Sequence, residues 1–412
     1  MQKHLSYIEW FDKLTINNRM DLFKKRRVFL DFASATPVLR EVRREMRKYW
    51  SKDFYNPSSI YDKGVGAKKA LEEYRARFAR ALGAGRKNVF FTSGATESDN
   101  LAILGAYAEY KEKFPKKAGH LVVSVIEHPA VLEVAKELER RGVKVSRVSV
   151  DESGLVNPLE VSKLLKTDTF LVSIGLVNGE IGTIQPIAKI GRTIRERRKE
   201  KNSQFPYLHT DASQALGFLP INIENLHVDL VTLESAKAYG PKGVGLLAVR
   251  AGVHFRPITW GGGQESRLRP GTENLALIAG FSKAFEIAEK NRDKEFARLA
   301  SLREFFVSEL QEKLPQVVIN GPLKDVLPSI VSVSMSDFSP ELELLALDRE
   351  GVMVSIGSAC SSNSEDRGSY VIRALGKKEF AESTLRFSFG RSTTKRDLER
   401  AVSVLYRRAS HW

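Results

Sequence analysis

Two neighbouring stretches, HTDASQALG (residues 209–217) and VDLVTLESAKAYGPKGVG (residues 228–245), decide the fold prediction. In the first, Asp211 closes a short apolar run, and in the second, Lys237 closes another. A Gly-Pro-Lys-Gly turn begins three residues after that lysine. In a chain that alternates strands and helices, both side chains would lie at strand carboxyl ends, where open α/β sheets bind ligands. The two stretches therefore predict a site that contains a carboxylate and an amine.

The required alternation continues on both sides of these stretches. The predicted strands are residues 89–91, 120–128, 144–150, 169–178, 206–212, 228–235 and 243–250. Helical patterns separate most of them, which predicts a mostly parallel seven-stranded sheet with helices on both faces. A long Gly-rich loop follows, then two predicted helices, 275–290 and 295–313, and then a smaller α+β unit. We place the domain boundary near residues 275–315.

Length and composition limit the class of protein. The 412 residues, 42% hydrophobic and 28% charged, predict a globular protein of two or three domains. No apolar run is long enough to span a membrane, and residues 1–27 do not resemble a secretory signal. A single cysteine, Cys360, excludes an intrachain disulfide and fits a reducing cytoplasm.

The net charge of +15 is spread along helical stretches in which Lys and Arg are mixed with Glu. No nucleic-acid motif accompanies it, so a solvated basic surface is favoured over direct nucleic-acid binding. Attraction to acidic protein partners or to tRNA stays open. The sequence predicts no metal site.

A lysine and a carboxylate in one pocket are what pyridoxal 5′-phosphate (PLP) requires. Lys237 would form the Schiff base, and Asp211 would keep a proton on the pyridine nitrogen. Residues 94–96 (Gly-Ala-Thr) lie at a strand-to-helix turn and are candidates to bind a phosphate, although a plain helix cap explains this pattern better on its own. His128 ends a predicted strand at the same sheet edge, where both a structural and a catalytic role are open.

Two residues of the smaller unit complete the candidate site. Cys360 lies among Gly, Ser and Asn in GSACSSNSEDRG, which favours an exposed, reactive thiol over a buried one. Arg386 alternates with Leu385 and Phe387 on a predicted strand. An inward-facing arginine needs an anion, which could be a substrate carboxylate or an internal acid.

Many motifs of the chain, taken in order, resemble those of NifS/IscS-type cysteine desulfurases, which are class V aminotransferases of the fold-type I PLP enzymes. The matching segments are LDFASATP, NPSSIY, FTSGATESDNLAI, IEHPAVL, VNGEIG, HTDASQALG, the turn at residues 237–245, RPGTEN, GSACSS, SYVIRALG and LRFSFGR. The resemblance implies a homodimer that converts L-cysteine to L-alanine. It would pass the sulfur, held as a persulfide, to iron–sulfur cluster or tRNA-thiolation acceptors.

The resemblance also implies domains and residue roles. Residues 1–27 would be an extension packed on the small domain, 28–275 the large PLP-binding domain, and 276–412 the small domain that carries the cysteine loop. The implied roles are the Schiff base (Lys237), the pyridinium partner (Asp211), a contact near the ring oxygen (Gln214), ring stacking and proton movement (His128), phosphate binding (Ala95, Thr96, Ser235 and, from the other subunit, Thr272), the persulfide (Cys360) and substrate binding (Arg386 and Asn178).

Three departures from the family pattern concern the same site. The usual Ser-x-His-Lys is replaced by Glu234, Ser235 and Ala236 before Lys237, so Ser235 would have to substitute for the phosphate-binding serine from one position along. Gly179 stands where the family has an asparagine, and Tyr61 where a histidine is common. Two alternatives therefore stay open, a related PLP lyase acting on selenocysteine or cysteine sulfinate and a weakly active sulfur-transfer scaffold.

Overall fold

The computed structural model describes residues 27–336, 339–357 and 368–409. In chain order its strands are β1 (Val28–Phe29), β2 (Val89–Thr92), β3 (His120–Ser124), β4 (Lys144–Val148), β5 (Thr169–Ser173), β6 (Tyr207–Asp211), β7 (Leu230–Glu234), β8 (Gly245–Val249), β9 (Val318–Asn320), β10 (Ile330–Ser334), β11 (Val352–Met353) and β12 (Thr384–Ser388). Its α-helices are α1 (Arg40–Ser51), α2 (Asp62–Leu82), α3 (Ala95–Lys113), α4 (Pro129–Arg140), α5 (Pro158–Leu164), α6 (Ile187–Glu200), α7 (Ile223–Leu226), α8 (Leu275–Lys313), α9 (Pro340–Arg349), α10 (Tyr370–Ala374) and α11 (Lys395–Ala409).

The seven-stranded sheet has the order β2-β8-β7-β6-β5-β3-β4. Only β8 runs antiparallel to its neighbours, pairing with β7 on one side and β2 on the other. The strands of the seven-stranded sheet are apolar and buried on both faces; all five residues of β5, for example, are buried. A separate apolar cluster covers each face of the sheet. The predicted mostly parallel seven-stranded sheet is confirmed.

A second apolar core forms around the antiparallel sheet β12-β10-β9, with α11 and the end of α8 against it. Strand β1 pairs with β11, and Val28 and Leu30 are buried in this second core. The beginning of the described chain therefore packs with the carboxyl-terminal unit, although the sequence assigned residue 28 to the large domain. Residues 1–26 of the predicted extension lie outside the described residues.

Helix α8 is one continuous helix of 39 residues, so the prediction of two helices was wrong. Neither glycine nor proline interrupts residues 290–295, and Arg292 and Arg298 pair with acids three residues earlier in the same helix. Its first half packs on the large sheet through Phe281 and Phe285, and its second half contributes Phe306 to the second core. The domain boundary at residue 275 coincides with the first residue of α8 and stays a prediction.

Within the described segments, no helix combines the length and apolar character that crossing a bilayer requires.

Candidate active site

A cavity of about 440 Å³ opens beside the carboxyl ends of β5, β6 and β7. Sheet strands end there in polar residues because the chain leaves the apolar interior at this edge. Of the residues predicted for the site, the cavity is lined by Ala95, Thr96, His128, Asn178, Asp211, Gln214, Lys237 and Arg386. Ser235 and Thr272 do not line it, and Cys360 lies outside the described residues.

Lys237 ends a short 3-10 turn that follows directly after β7. Its ammonium nitrogen donates to two backbone carbonyls of one segment, Ala33 O at 2.7 Å and Ser34 O at 2.9 Å. Burial, followed by the positive charge of Arg386, lowers the pKa of Lys237 below its ordinary value. A larger fraction of this amine is therefore neutral, and thus nucleophilic, than of an exposed lysine.

Asp211 ends β6, and its Oδ1 accepts a hydrogen bond from Ser213 N at 2.9 Å. Behind it, Asp99 of α3 is fully buried, and its Oδ1 lies 3.5 Å from His209 Nε2. Burial, and then the charge of Asp211, raises the pKa of Asp99 well above its ordinary value. Burial also lowers the pKa of His209 to about 4. His209 is therefore neutral at pH 7, and burial favours the neutral form of Asp99.

His128 precedes α4 and caps it, because its Nδ1 accepts from Ala130 N at 3.2 Å. In the neutral ring the proton consequently resides on Nε2. Burial, more than any nearby charge, lowers the pKa of His128. This places an uncharged imidazole on the cavity wall, and the structural and catalytic roles left open by the sequence are compatible with each other.

Glu127, the residue before this histidine, was not singled out from the sequence. Both of its carboxylate oxygens accept from Gly175 N, at 3.0 and 2.9 Å, and burial raises its pKa to about 8. The backbone carbonyl of Glu127 accepts from the Tyr370 hydroxyl at 2.7 Å. In the sequence, the position of Glu127 beside His128 at the end of a predicted strand could have identified it as a residue of the site.

Arg386 reaches the cavity from β12 and is already engaged by the protein. Its Nη1 donates to Gly179 O at 3.0 Å, and its Nη2 donates to Asp31 Oδ1 at 2.9 Å and Ser34 Oγ at 2.8 Å. Its Nε is buried without a partner within the described parts of the chain. The internal ion pair considered from the sequence therefore exists, and the guanidinium nevertheless lines the cavity.

Asn178 and Gln214 both face the cavity but are also held by the protein. Asn178 Oδ1 accepts from the backbone nitrogens of residues 180 and 181, and its amide donates to Ile126 O, so this side chain organises its own turn. Gln214 Nε2 donates to Ala33 O at 3.0 Å. A Cβ at Gly179 would lie 3.1 Å from that nitrogen, so the glycine and Gln214 fit each other.

The amino terminus of α3 is occupied by Glu234. Its Oε2 accepts from Ala95 N at 2.6 Å and its Oε1 from Ala236 N at 3.3 Å. Burial raises the pKa of Glu234. Ser235 is fully buried beside Gly240, and its hydroxyl is not positioned as the phosphate donor that the sequence predicted. The carboxylate of Glu234, and not the hydroxyl of Ser235, therefore lies at the amino terminus of α3.

The Gly-rich loop after β8 is fixed to the large sheet by a buried ion pair. Arg75 Nη1 and Nη2 donate to Glu265 Oε2 and Oε1 at 2.7 and 2.8 Å, and Phe91 N donates to the same carboxylate at 3.0 Å. Thr272, seven residues further along the loop, is exposed. Its predicted role, as a contact to the cofactor of another subunit, stays a prediction.

Comparison with known proteins assigns the chain to a family. The model of the family described as aminotransferase class-V matches residues 28–401. The chain belongs to the class-V aminotransferase family. The protein named cysteine desulfurase IscS of Dictyoglomus turgidum is 42% identical over 385 residues, which cover 93% of this chain and 94% of that protein.

Two solved structures support the same assignment within this family. A structure titled as a NifS-like protein superposes with a TM-score of 0.85 at 33% identity, covering 94% of this chain and 100% of that one. A structure titled "SspA in complex with cysteine" has a TM-score of 0.75 at 33% identity and covers 88% of this chain and 98% of its own. The predicted resemblance and the fold-type I architecture are confirmed.

Class-V aminotransferases are PLP enzymes, and the cavity can be tested for its fit to that cofactor. The ring and aldehyde end fit, because Lys237, Asp211 and His128 supply an amine, a carboxylate and an imidazole to one cavity. The end of the cavity where the phosphate would bind does not fit it in the same way. A Cβ at Gly94 would lie 2.9 Å from Glu234 Oε2, so the glutamate fills the turn where a phosphate could be cradled.

Proposed function

We propose that this protein is a PLP-dependent cysteine desulfurase, which converts L-cysteine to L-alanine and retains the sulfur as an enzyme persulfide. One observation carries the proposal: Lys237, Asp211, His128 and Arg386 line a single cavity in a chain whose relatives are named cysteine desulfurases. A neighbour whose title reports bound cysteine supports the same substrate. Iron–sulfur cluster assembly and tRNA thiolation are the proposed uses of the sulfur.

The ring end of the cavity is where we propose that PLP binds. When bound, PLP supplies an aldehyde that condenses with amines and a pyridinium ring that withdraws electrons from the substrate carbon. Lys237 would hold the aldehyde, Asp211 would keep the ring nitrogen protonated, and His128 would lie against the ring. Gln214 would contact the ring oxygen. The phosphate would lie towards Ala95 and Thr96, where Glu234 already accepts from Ala95 N.

The protein's own groups then account for substrate binding and proton movement. Arg386 would bind the carboxylate of cysteine, exchanging its present contact with Asp31 for one with the substrate. The amine of Lys237, whose pKa burial lowers, would take the proton from the substrate carbon. His128 Nε2–H would donate a proton to the substrate carbon that loses the sulfur. Asn178, whose amide is committed to its turn, would hold the backbone that frames the substrate.

Sulfur transfer is assigned to Cys360, which stays a prediction from the sequence. Its thiolate would attack the sulfur atom of the substrate, so that a sulfur–sulfur bond forms as the carbon–sulfur bond breaks. The carbon would keep the electron pair and take up a proton, which leaves L-alanine. A persulfide on a loop cysteine can then pass its outer sulfur to an acceptor thiol.

A homodimer is the proposed assembly. Large apolar side chains are exposed on the described surface, among them Ile60 at 96% and Trp260 at 83% relative exposure. Apolar side chains exposed to this degree could be covered by a second subunit. The exposed Thr272 lies on the same loop as Trp260, so a second subunit covering this surface could receive it. The cytoplasmic location stays a prediction.

The proposed function is tested with purified protein, PLP and L-cysteine. We expect a visible absorbance that stays with the protein after unbound PLP is removed, and equal amounts of L-alanine and sulfide in the presence of a thiol reductant. Lys237→Ala should abolish both signals, whereas Lys163→Ala, on an exposed helix face away from the cavity, should retain them. A wild type that binds PLP but forms no alanine from cysteine would contradict the proposal. Alanine formation that survives Cys360→Ala would favour the lyase alternative.

A further inference from the structure

Glu234 is the one acidic side chain of the described cavity lining that accepts a hydrogen bond from the α3 amino terminus. The carboxylate bridges two backbone nitrogens, Ala95 N at 2.6 Å and Ala236 N at 3.3 Å. The first of these belongs to the opening residue of a 19-residue helix. Backbone N–H groups at such a position attract anions, and here the chain supplies its own.

The geometry leaves no room for a second anion at the same N–H group. A phosphate oxygen that accepted from Ala95 N would have to replace Glu234 Oε2, because one N–H makes one strong hydrogen bond. The adjacent turn is filled as well, since Glu234 Oε2 lies 2.9 Å from a Cβ built on Gly94. If the carboxylate moved only slightly, it would face the phosphate as a like charge at short range.

The surroundings of Glu234 do not remove this conflict. The positive charge of Lys237 favours the ionised carboxylate of Glu234, but this lysine is committed to the carbonyls of Ala33 and Ser34 and, in the proposed function, to the cofactor aldehyde. Asp211 adds a further negative charge from the neighbouring strand. Ser235, the only hydroxyl of the turn Ser235–Lys237, is buried beside Gly240.

We propose that Glu234 is a specificity-determining residue of the cofactor site, whose carboxylate competes with the phosphate group of PLP for the amino terminus of α3. This inference rests on the proposed PLP-dependent function. The site therefore gains little affinity from the phosphate and discriminates weakly between PLP and pyridoxal, which lacks it. Removing the carboxylate restores the contribution of the phosphate.

The test compares wild type with Glu234→Gln and Glu234→Ser in equilibrium binding titrations with PLP, pyridoxal and inorganic phosphate. Both variants should bind PLP about tenfold or more tightly than wild type, because a like charge within a few ångströms of the phosphate is removed. The Kd of pyridoxal should change less than about twofold, because this ligand places no charge at α3. Inorganic phosphate, followed by calorimetry, should bind the Ser variant and not the wild type.

Glu97→Gln is the matched control. Glu97 lies in the first turn of the same helix, but it accepts from Ser93 N and pairs with Arg269, and it does not line the cavity. Its substitution should leave all three affinities unchanged. Equal PLP affinities in wild type and both Glu234 variants would overturn the competition while leaving the proposed function intact. If PLP and pyridoxal bound to none of the proteins, the proposed function would fail, and the phosphate titrations would still decide whether Glu234 excludes an anion.

Discussion

The ion pair between Arg75 and Glu265 makes the substitution Glu265→Ala the most direct test of how the Gly-rich loop is held. The pair is bidentate, with nitrogen–oxygen distances of 2.7 and 2.8 Å, and Phe91 N adds a third hydrogen bond to the carboxylate. The two side chains are only 7% and 1% exposed. Removing Glu265 leaves the buried guanidinium of Arg75 with only the half-exposed Glu72, at 3.0 Å, and the carbonyl of Val89 as partners, which costs about 3 kcal/mol, the low end of the range for a broken buried ion pair. We therefore expect the free energy of unfolding to fall by about that amount.

Urea denaturation at a fixed protein concentration measures the change. Glu286→Ala serves as the matched control, because its contacts with Arg77 at 3.5 Å and Lys283 at 2.9 Å join partly exposed side chains and should together contribute about 1 kcal/mol or less. The double variant Arg75→Met with Glu265→Leu should recover most of the loss, since an apolar pair of similar volume replaces the buried charges. A loss below about 1 kcal/mol for Glu265→Ala would refute the reasoning.

Two further predictions concern substrate binding and acid stability. Arg386→Lys should raise the KM for L-cysteine about tenfold or more in steady-state assays, because an ammonium cannot form the paired contact of a guanidinium with a carboxylate; an unchanged KM would exclude Arg386 as the carboxylate ligand. Burial lowers the pKa of His120, held between Thr169 and Ser146, to about 4. Because this folded-state value lies below the unfolded value of about 6.5, its contribution to stability is lost as the pH falls from about 6.5 to 4. Between pH 7 and pH 5, wild type should therefore lose about 2 kcal/mol more unfolding free energy than His120→Gln, and parallel pH profiles would contradict the assignment.

Much of the large sheet could be predicted from the sequence because its strands are short apolar runs bounded by turn residues. Asp211 and Lys237 could be placed at one edge for the same reason, since the carboxyl ends of neighbouring parallel strands meet there. That residues 275–313 form one helix, α8, rather than two could not be predicted from the sequence. Its buried face changes from the large sheet, through Phe281, to the second core, through Phe306, so the apolar pattern is interrupted although the helix is not.

The directions in which the side chains of the site point could not be predicted from the sequence. The contact between Glu234 and Ala95 N joins residues 139 positions apart, and that between Arg75 and Glu265 joins residues 190 apart. Such contacts depend on how helices and loops pack on the sheet, which no local pattern encodes. Ser235 illustrates the consequence, because its position in the sequence suggested a phosphate donor and the turn directs it towards Gly240.

In the proposed function, sulfur from L-cysteine is transferred to a thiol of this protein. Mass spectrometry of the PLP-loaded enzyme, mixed with L-cysteine without reductant, measures this transfer directly. We expect one additional sulfur atom on the peptide that contains Cys360, formed together with one molecule of L-alanine per sulfur, and none of this modification in Lys237→Ala. L-alanine formed while Cys360 stays unmodified would contradict the persulfide mechanism.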